Sequence, residues 1–118
     1  MTSQITTSQE KALRATQYLL DSSAEHAAAK ADAGKAQHMR KVTKALLMKE
    51  SDSKSIGMKE ADALTDPRYL QRIDEERDAV FEYEKLRGDR EAAVQHIEYW
   101  RSENANLRAA ERGFGSAR

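Results

Sequence analysis

Three histidines and twenty carboxylates are the side chains of this 118-residue chain whose types could do chemistry. His26, His38 and His96 fall outside the H-E-x-x-H and E-x-x-H arrangements, which place metal ligands on one face of a helix. The chain has no cysteine, which excludes disulfides and thiolate metal sites. We therefore interpret the histidines as ordinary helix-surface residues and predict no metal site.

Catalytic motifs are likewise missing from the sequence. It has no Walker loop, no Rossmann glycine pattern and no G-x-S-x-G elbow. The 20 Asp and Glu residues are matched by 20 Lys and Arg residues, so solvated ion pairs explain the carboxylates better than an acid/base couple does. We predict a protein that is not an enzyme and that uses neither a cofactor nor a small-molecule substrate.

Direct binding of single-stranded DNA is the alternative that the basic residues leave open. Arg40, Lys41 and Lys44 cluster in the first half of the chain, and Arg101 follows Tyr99 and Trp100. Single-strand binders combine cationic and aromatic groups in this way, for phosphate contacts and base stacking. A formal net charge of zero and an isoelectric point near 6.8 count against a free basic surface.

The composition predicts an all-α protein that positions these residues on long helices. Ala, Glu, Lys, Arg and Leu dominate, only 6% of residues are aromatic, and there is a single Pro. The apolar residues recur with a helical period, which argues against disorder. The first residues do not resemble a signal peptide, and no apolar run approaches the roughly 18 residues of a membrane span, so we expect a cytoplasmic protein that does not contact a membrane.

Local signals divide the chain into two helices and a connection. Thr7 with Glu10 fits a capping box at the start of the first helix, and Asp66-Pro67 fits the start of the second. The segment Asp21-Ser22-Ser23 is able to bend the first helix. The prediction is a single domain over residues 9–112, which comprises a helix over 9–50, a loop over 51–57, a helical turn over 58–64 and a helix over 67–112, between flexible ends at 1–8 and 113–118.

The second helix carries a coiled-coil seam. Its members are spaced by three and four residues, as in a heptad pattern: Tyr69, Ile73, Glu76, Val80, Tyr83, Leu86, Arg90, Ala93, Ile97, Trp100, Asn104 and Leu107. Three of them, Glu76, Arg90 and Asn104, are polar, and they either fix the register of the partner helix or lie at the edge of the seam. On the first helix the same spacing selects a line of residues through Leu13 and Leu20, past alanines, to Val42.

Charge predicts how the two helices align. Residues 30–49 hold six basic residues and one acidic residue, a net of +5, whereas residues 59–82 hold four basic and eight acidic residues, a net of −4. A short connection makes consecutive helices fold back on each other, which sets these two stretches side by side. The sequence thus predicts a long antiparallel helical hairpin.

A hairpin of this size has a small core, so the sequence also predicts self-association into a helical bundle oligomer. The candidate contact residues lie on the second helix: Tyr83, Leu86, Ile97, Trp100, Asn104 and Leu107. The identity of any other protein partner does not follow from the sequence.

Four segments give the chain a resemblance to known proteins. They are Ala45-Leu-Leu-Met48, Ser55-Ile-Gly-Met-Lys-Glu-Ala-Asp-Ala63, Pro67-Arg-Tyr69 and Ile97-Glu-Tyr-Trp-Arg-Ser102. Over residues 28–112 the chain resembles a group of small helical-hairpin proteins of tailed bacteriophages, encoded in early or recombination gene regions. The resemblance implies a setting in phage DNA metabolism in the host cytoplasm.

Together these features lead to three hypotheses. The first is a non-enzymatic oligomeric protein that binds other macromolecules, as an accessory factor of phage DNA metabolism. The second is a direct single-stranded DNA-binding or recombination mediator protein that uses Arg40, Lys41, Lys44 and Arg101. The third is a structural or assembly component of a virion.

Overall fold

A computed structural model describes residues 6–116, except for the side chains of 114–116, and contains helices but no strand within that range. The helices are α1 (Thr7–Asp21), α2 (Ser23–Glu50), α3 (Ile56–Thr65) and α4 (Pro67–Ser116). The predicted all-α helical hairpin is confirmed. Residues 1–5 and 117–118, which belong to the two predicted flexible ends, lie outside the described residues.

Helix α1 is capped one residue earlier than the sequence predicts. Thr6, and not Thr7, is the N-cap, and its hydroxyl accepts a hydrogen bond from the backbone N–H of Gln9 at 3.0 Å. Thr6 with Gln9 and Thr7 with Glu10 both match the capping-box pattern, so the pattern alone does not choose between them. The Glu10 carboxylate pairs instead with Arg14, one turn further along the helix.

Ser22 separates α1 from α2, within the segment that the sequence identifies as able to bend. Its backbone N–H donates to the carbonyl of Tyr18 at 2.9 Å, which closes the last turn of α1. The Ser22 side chain is buried, with 4% exposure. The interruption is confined to one residue, because Ser22 keeps a right-handed backbone conformation.

The connection between α2 and α4 is more ordered than a plain loop. Helix α3 starts two residues earlier than predicted, because the Ser55 hydroxyl caps it by accepting from the N–H of Met58 at 3.2 Å. Asp66 is extended, as the residue before a proline should be, and its carboxylate accepts from the N–H of Arg68 at 2.8 Å. Gly113 continues α4, so this helix ends four residues beyond the predicted limit of 112.

The chain divides into two compact units. Unit 1 comprises the described residues up to Ser23 and those from Arg87 onward, and unit 2 comprises residues 24–86. In unit 1, α1 and the second half of α4 are antiparallel, because the last turn of α1 lies at Arg90 while its first turn lies at His96 and Tyr99.

In unit 2, α2 and the first half of α4 are also antiparallel. The Glu50 carboxylate, at the end of α2, pairs with Arg68 at 3.0 Å, near the start of α4. Near the start of α2, the His26 ring stacks on Tyr83 with a centroid distance of 5.5 Å. Helix α3 packs on this pair through Ala63, which contacts Leu47 and Tyr69 and is fully buried.

The core is built mostly from alanine. Among the described residues, the buried hydrophobic positions are Ala12, Ala15, Ala33, Leu47, Ala63, Tyr69 and Ala93. Only Leu47 and Tyr69 are larger than alanine, and both belong to the cluster around Ala63. The helices therefore approach closely while they bury little apolar area, which gives each contact a small hydrophobic contribution.

The inward face of α4 follows the predicted seam along most of its length. From Tyr69 to Asn104 the predicted members are buried or half-buried except Ile73, which is 39% exposed, and beyond them Leu107 is 53% exposed. On α1 the predicted inward line is wrong by one residue. Leu13 and Leu20 are 57% and 68% exposed, whereas Ala12 and Ala15 face α4. Small side chains give the close fit here, so the larger leucines are left outside.

Candidate interaction surface

The three histidines do not assemble a reactive site. His26 is half-buried against Tyr83, and its Nε2 atom has no hydrogen-bond partner. His38 is exposed on α2, and His96 is exposed on α4 beside Lys11 and Tyr99. Within residues 6–116 no group of three His, Asp or Glu side chains is arranged to hold a metal ion. The same range contains no helix with the length and hydropathy needed to cross a membrane.

Three of the four candidate nucleic-acid contacts face carboxylates of their own chain. Arg40 donates to Glu76 and, at 3.2 Å, to the hydroxyl of Tyr69. Hydrogen bonding to Tyr69 and then to Glu76 raises the pKa of Arg40 above its ordinary value. Lys44 pairs with Glu60 at 2.9 Å.

Arg101 pairs with Glu98 at 3.1 Å within one turn of α4, while Lys41 is exposed. Arg101 belongs to unit 1, and the other three residues belong to unit 2. Pairing with carboxylates lowers the positive potential that phosphates would meet at these side chains. The geometry therefore favours a structural use of Arg40 and Lys44.

The two oppositely charged stretches lie side by side, as their charges predict. Arg40 with Glu76 and Lys44 with Glu60 join residues 30–49 to residues 59–82. Thr43 adds a neutral contact by accepting from Arg72 at 3.2 Å. Each partly exposed pair contributes about 0–1 kcal/mol, so these pairs select the alignment of α2, α3 and α4 more than they stabilise it.

Two of the three polar seam residues bond to the facing helix. The Glu76 carboxylate accepts a hydrogen bond from Arg40. Arg90 donates through Nη1 to the carbonyl of Leu19 at 2.8 Å and to the hydroxyl of Ser22 at 2.7 Å. A cation at the C-terminal end of a helix also interacts favourably with the helix dipole. These bonds support the interpretation that polar seam residues fix register. Asn104 is half-buried on the same face.

The loop after α2 holds a polar cluster that sequence reasoning missed. The hydroxyls of Ser51 and Ser53 each donate to Asp62 at 2.6 Å, which lowers the pKa of that carboxyl below its ordinary value. The ammonium of Lys59 donates to the Ser51 carbonyl at 2.9 Å. The available signal in the sequence was the serine-rich run that precedes the acidic residues of α3. In the structure the cluster holds the loop against that helix.

The predicted self-association residues are mostly used inside the hairpin. Tyr83 and Leu86 in unit 2, and Ile97, Trp100 and Asn104 in unit 1, are half-buried on the inward seam of α4. Leu107 is exposed. Large apolar side chains that are available to a partner therefore come mainly from other positions.

Unit 1 presents an apolar flank where α1 meets α4. A shallow hollow of about 130 Å³ is lined by Gln9, Ala12, Leu13, Thr16, Ile97 and Trp100. Leu20 lies two turns along the same face of α1, and Val94, which is 42% exposed, lies one turn before Ile97. We call Leu13, Leu20, Val94, Ile97 and Trp100 the apolar flank. Two other hollows of unit 1 include charged residues in their lining, among them Lys11, Asp89 and Glu103.

Unit 2 also exposes apolar residues. Leu70, Ile73 and Phe81 share one face of α4, with exposures of 49%, 39% and 64%. Leu46 on α2 and Ile56 on α3 are 56% and 75% exposed. A hollow of about 290 Å³ beside Leu46 is lined also by the charged residues Glu50, Arg68 and Arg72. The hollow beside Trp100 has no charged residue in its lining, so the apolar flank is the more apolar of these two candidate surfaces.

Comparisons with protein-family models, with curated proteins and with solved structures found no match to this chain.

Proposed function

We propose that this chain is a non-enzymatic helical protein that acts by binding other macromolecules, the first of them being further copies of itself. The proposal is supported by the distribution of large apolar side chains. Among the described residues, two of those in the buried core are larger than alanine, whereas twelve large hydrophobic residues are exposed. Exposed apolar surface on this scale is typical of proteins that complete their core at an interface.

The hairpin geometry suits such a role. Cross-helix bonds from Arg40 and Arg90 fix the alignment of the helices in each unit, so the exposed side chains are held at defined positions. A surface that is already ordered loses less conformational entropy on binding. A pre-aligned hairpin with apolar residues on its outside is thus suited to docking against other helices.

Sedimentation velocity over a range of chain concentrations tests the proposal. We expect the average mass to rise above that of one chain in the micromolar range, with helical content retained at every concentration. A monomer at all concentrations, with cooperative unfolding, would contradict the role of self-association. Circular dichroism on the same samples distinguishes association of folded chains from aggregation of unfolded ones.

The cellular setting of the proposal comes from the resemblance to phage proteins of early and recombination regions. Affinity purification from expressing or infected cells, with and without nuclease, tests it. Partners retained after nuclease treatment are bound through protein contacts, whereas partners lost on treatment are bridged by nucleic acid. Recovery in purified particles would favour a virion component instead.

A further inference from the structure

We infer that the apolar flank of unit 1 is the contact between two copies of this chain, related by a two-fold axis and arranged as a four-helix bundle. The inference rests on the proposed self-association and adds the surface and the register. Its basis is that a protruding side chain and a matching hollow lie on one face of the same helix pair.

The protruding side chain is Leu20. It is 68% exposed, and it is seven residues from Leu13, so both point to the same side of α1. The hollow is lined by Leu13 on α1 and by Ile97 and Trp100 on α4. Leu20 and the hollow are therefore about 10 Å apart along the helix, at 1.5 Å per residue.

The size of the hollow fits a leucine side chain. Its volume is about 130 Å³, and its lining contains Ala12, Leu13, Ile97 and Trp100 with no charged residue. An apolar cavity of about 150 Å³ is sufficient for a benzene molecule, so four side-chain carbons have room here. Gln9 and Thr16 complete the lining.

A second copy is the occupant that this arrangement fits. A two-fold axis midway between Leu20 and the hollow places Leu20 of each copy in the hollow of the other. This follows because, in an isologous contact, a residue of the first copy meets a given residue of the second, and the same two residues meet again with the copies exchanged. The charge of the unit does not oppose such a pairing. Residues 6–23 and 87–116 contain seven basic and seven acidic residues, a net of zero.

The area of the surface sets the strength of the contact. A face of two helices, each about 10 Å in diameter, that extends over the 15 residues of α1 is on the order of 450 Å². Stable interfaces bury about 800 Å² on each partner. We therefore expect a dimer that dissociates on dilution in the micromolar range, unless other surfaces of the chain add to it.

Trp100 makes the inference directly measurable, because it is the only tryptophan of the chain and it lines the hollow. In the dimer, Leu20 of the partner would shield the indole from water. We expect the emission of Trp100 to shift to longer wavelength on dilution, in parallel with the fall in mass seen by sedimentation.

The test compares Leu20→Lys with Leu46→Lys, a matched control at an exposed leucine of unit 2. We expect Leu20→Lys to raise the dimer Kd by at least about tenfold and to give the red-shifted emission at every concentration. We expect Leu46→Lys to dimerise like the natural chain. Circular dichroism should show both variants folded, since both leucines are more than half exposed.

The outcomes separate the two proposals. If the natural chain dimerises but Leu20→Lys has no effect, or if the Trp100 emission does not follow dimerisation, the flank is not the interface and the proposed self-association stands. If the natural chain is monomeric throughout, both proposals are overturned. Capture of a different protein by the flank, without a dimer, would also overturn the inference.

Discussion

Replacement of Arg90 by alanine should destabilise unit 1, and by more than the replacement of an exposed arginine would. In the native chain Arg90 satisfies the carbonyl of Leu19 and the hydroxyl of Ser22, at 2.8 and 2.7 Å. Ser22 is only 4% exposed, so its hydroxyl would lose a partner that water replaces poorly. Hydrogen bonds to charged groups contribute about 1.5–3 kcal/mol each.

Because Arg90 donates to both acceptors from one nitrogen and remains partly open to water, we expect the loss to be about 2 kcal/mol in total. The assay is urea unfolding followed by circular dichroism at a fixed chain concentration, since association would otherwise change the apparent stability. The matched control is Arg101→Ala. The Arg101 side chain is 66% exposed and pairs with Glu98 within one turn of α4, so its loss should cost less than about 0.5 kcal/mol.

A double-mutant cycle with Ser22→Ala isolates the cross-helix bond. We expect a coupling of about 1 kcal/mol between Arg90 and Ser22, the size of an ordinary net hydrogen bond. Equal effects of Arg90→Ala and Arg101→Ala, or a coupling near zero, would refute the view that Arg90 links the end of α1 to α4. Arg90→Lys should be intermediate, because a single ammonium reproduces the charge but not the planar shape of a guanidinium.

Three further predictions concern other parts of the chain. Gly34→Ala and Gly88→Ala should each raise the free energy of unfolding by about 0.5–1 kcal/mol in the same urea assay. Both glycines are helical, and an added Cβ meets no atom within 4 Å. A loss of stability would contradict this, since it would mean that the added methyl group clashes with a neighbouring side chain. Asp62→Asn should lower the free energy of unfolding above about pH 4, and the difference between the two chains should decrease as the pH falls below that. The carboxyl titrates near 3.8 when unfolded and lower when folded, so its contribution is present above the unfolded pKa and is lost as the pH falls through the folded one. Unfolding curves of both chains over that range check this, and a pH-independent difference would contradict it. Labelled single-stranded DNA should bind weakly and be released between about 50 and about 200 mM salt, because Arg40 and Lys44 already face Glu76 and Glu60; anisotropy measures this, and tight binding at the higher salt would support the DNA-binding alternative.

The sequence predicted the structure best where large apolar residues repeat. On α4, residues such as Val80, Tyr83 and Ile97 mark the inward face without ambiguity, and the structure buries or half-buries them. The net charges of residues 30–49 and 59–82 predicted the alignment that Arg40 and Glu76 confirm. These signals are strong because each comes from several residues that agree.

The sequence predicted α1 less well because alanine carries little information. Two faces of α1 have a helical period, one through Ala12 and Ala15 and one through Leu13 and Leu20. Hydrophobicity favours the leucines, whereas the packing distance of two helices favours the alanines. The apolar flank could therefore not be predicted as an outer surface, since this required knowing which of the two faces meets α4. The cluster at Asp62 depends in the same way on the path of the loop.

The alanine-lined contacts also determine which amino-acid changes this protein tolerates. In most domains, truncation of a core side chain is the harmful change, but Ala33, Ala63 and Ala93 have almost nothing to truncate. Enlargement is the harmful direction here, since even a valine at fully buried Ala63 would have to push α3 away from α2 and α4. Alanine scanning would therefore overlook these three positions, and substitution by larger residues would reveal them.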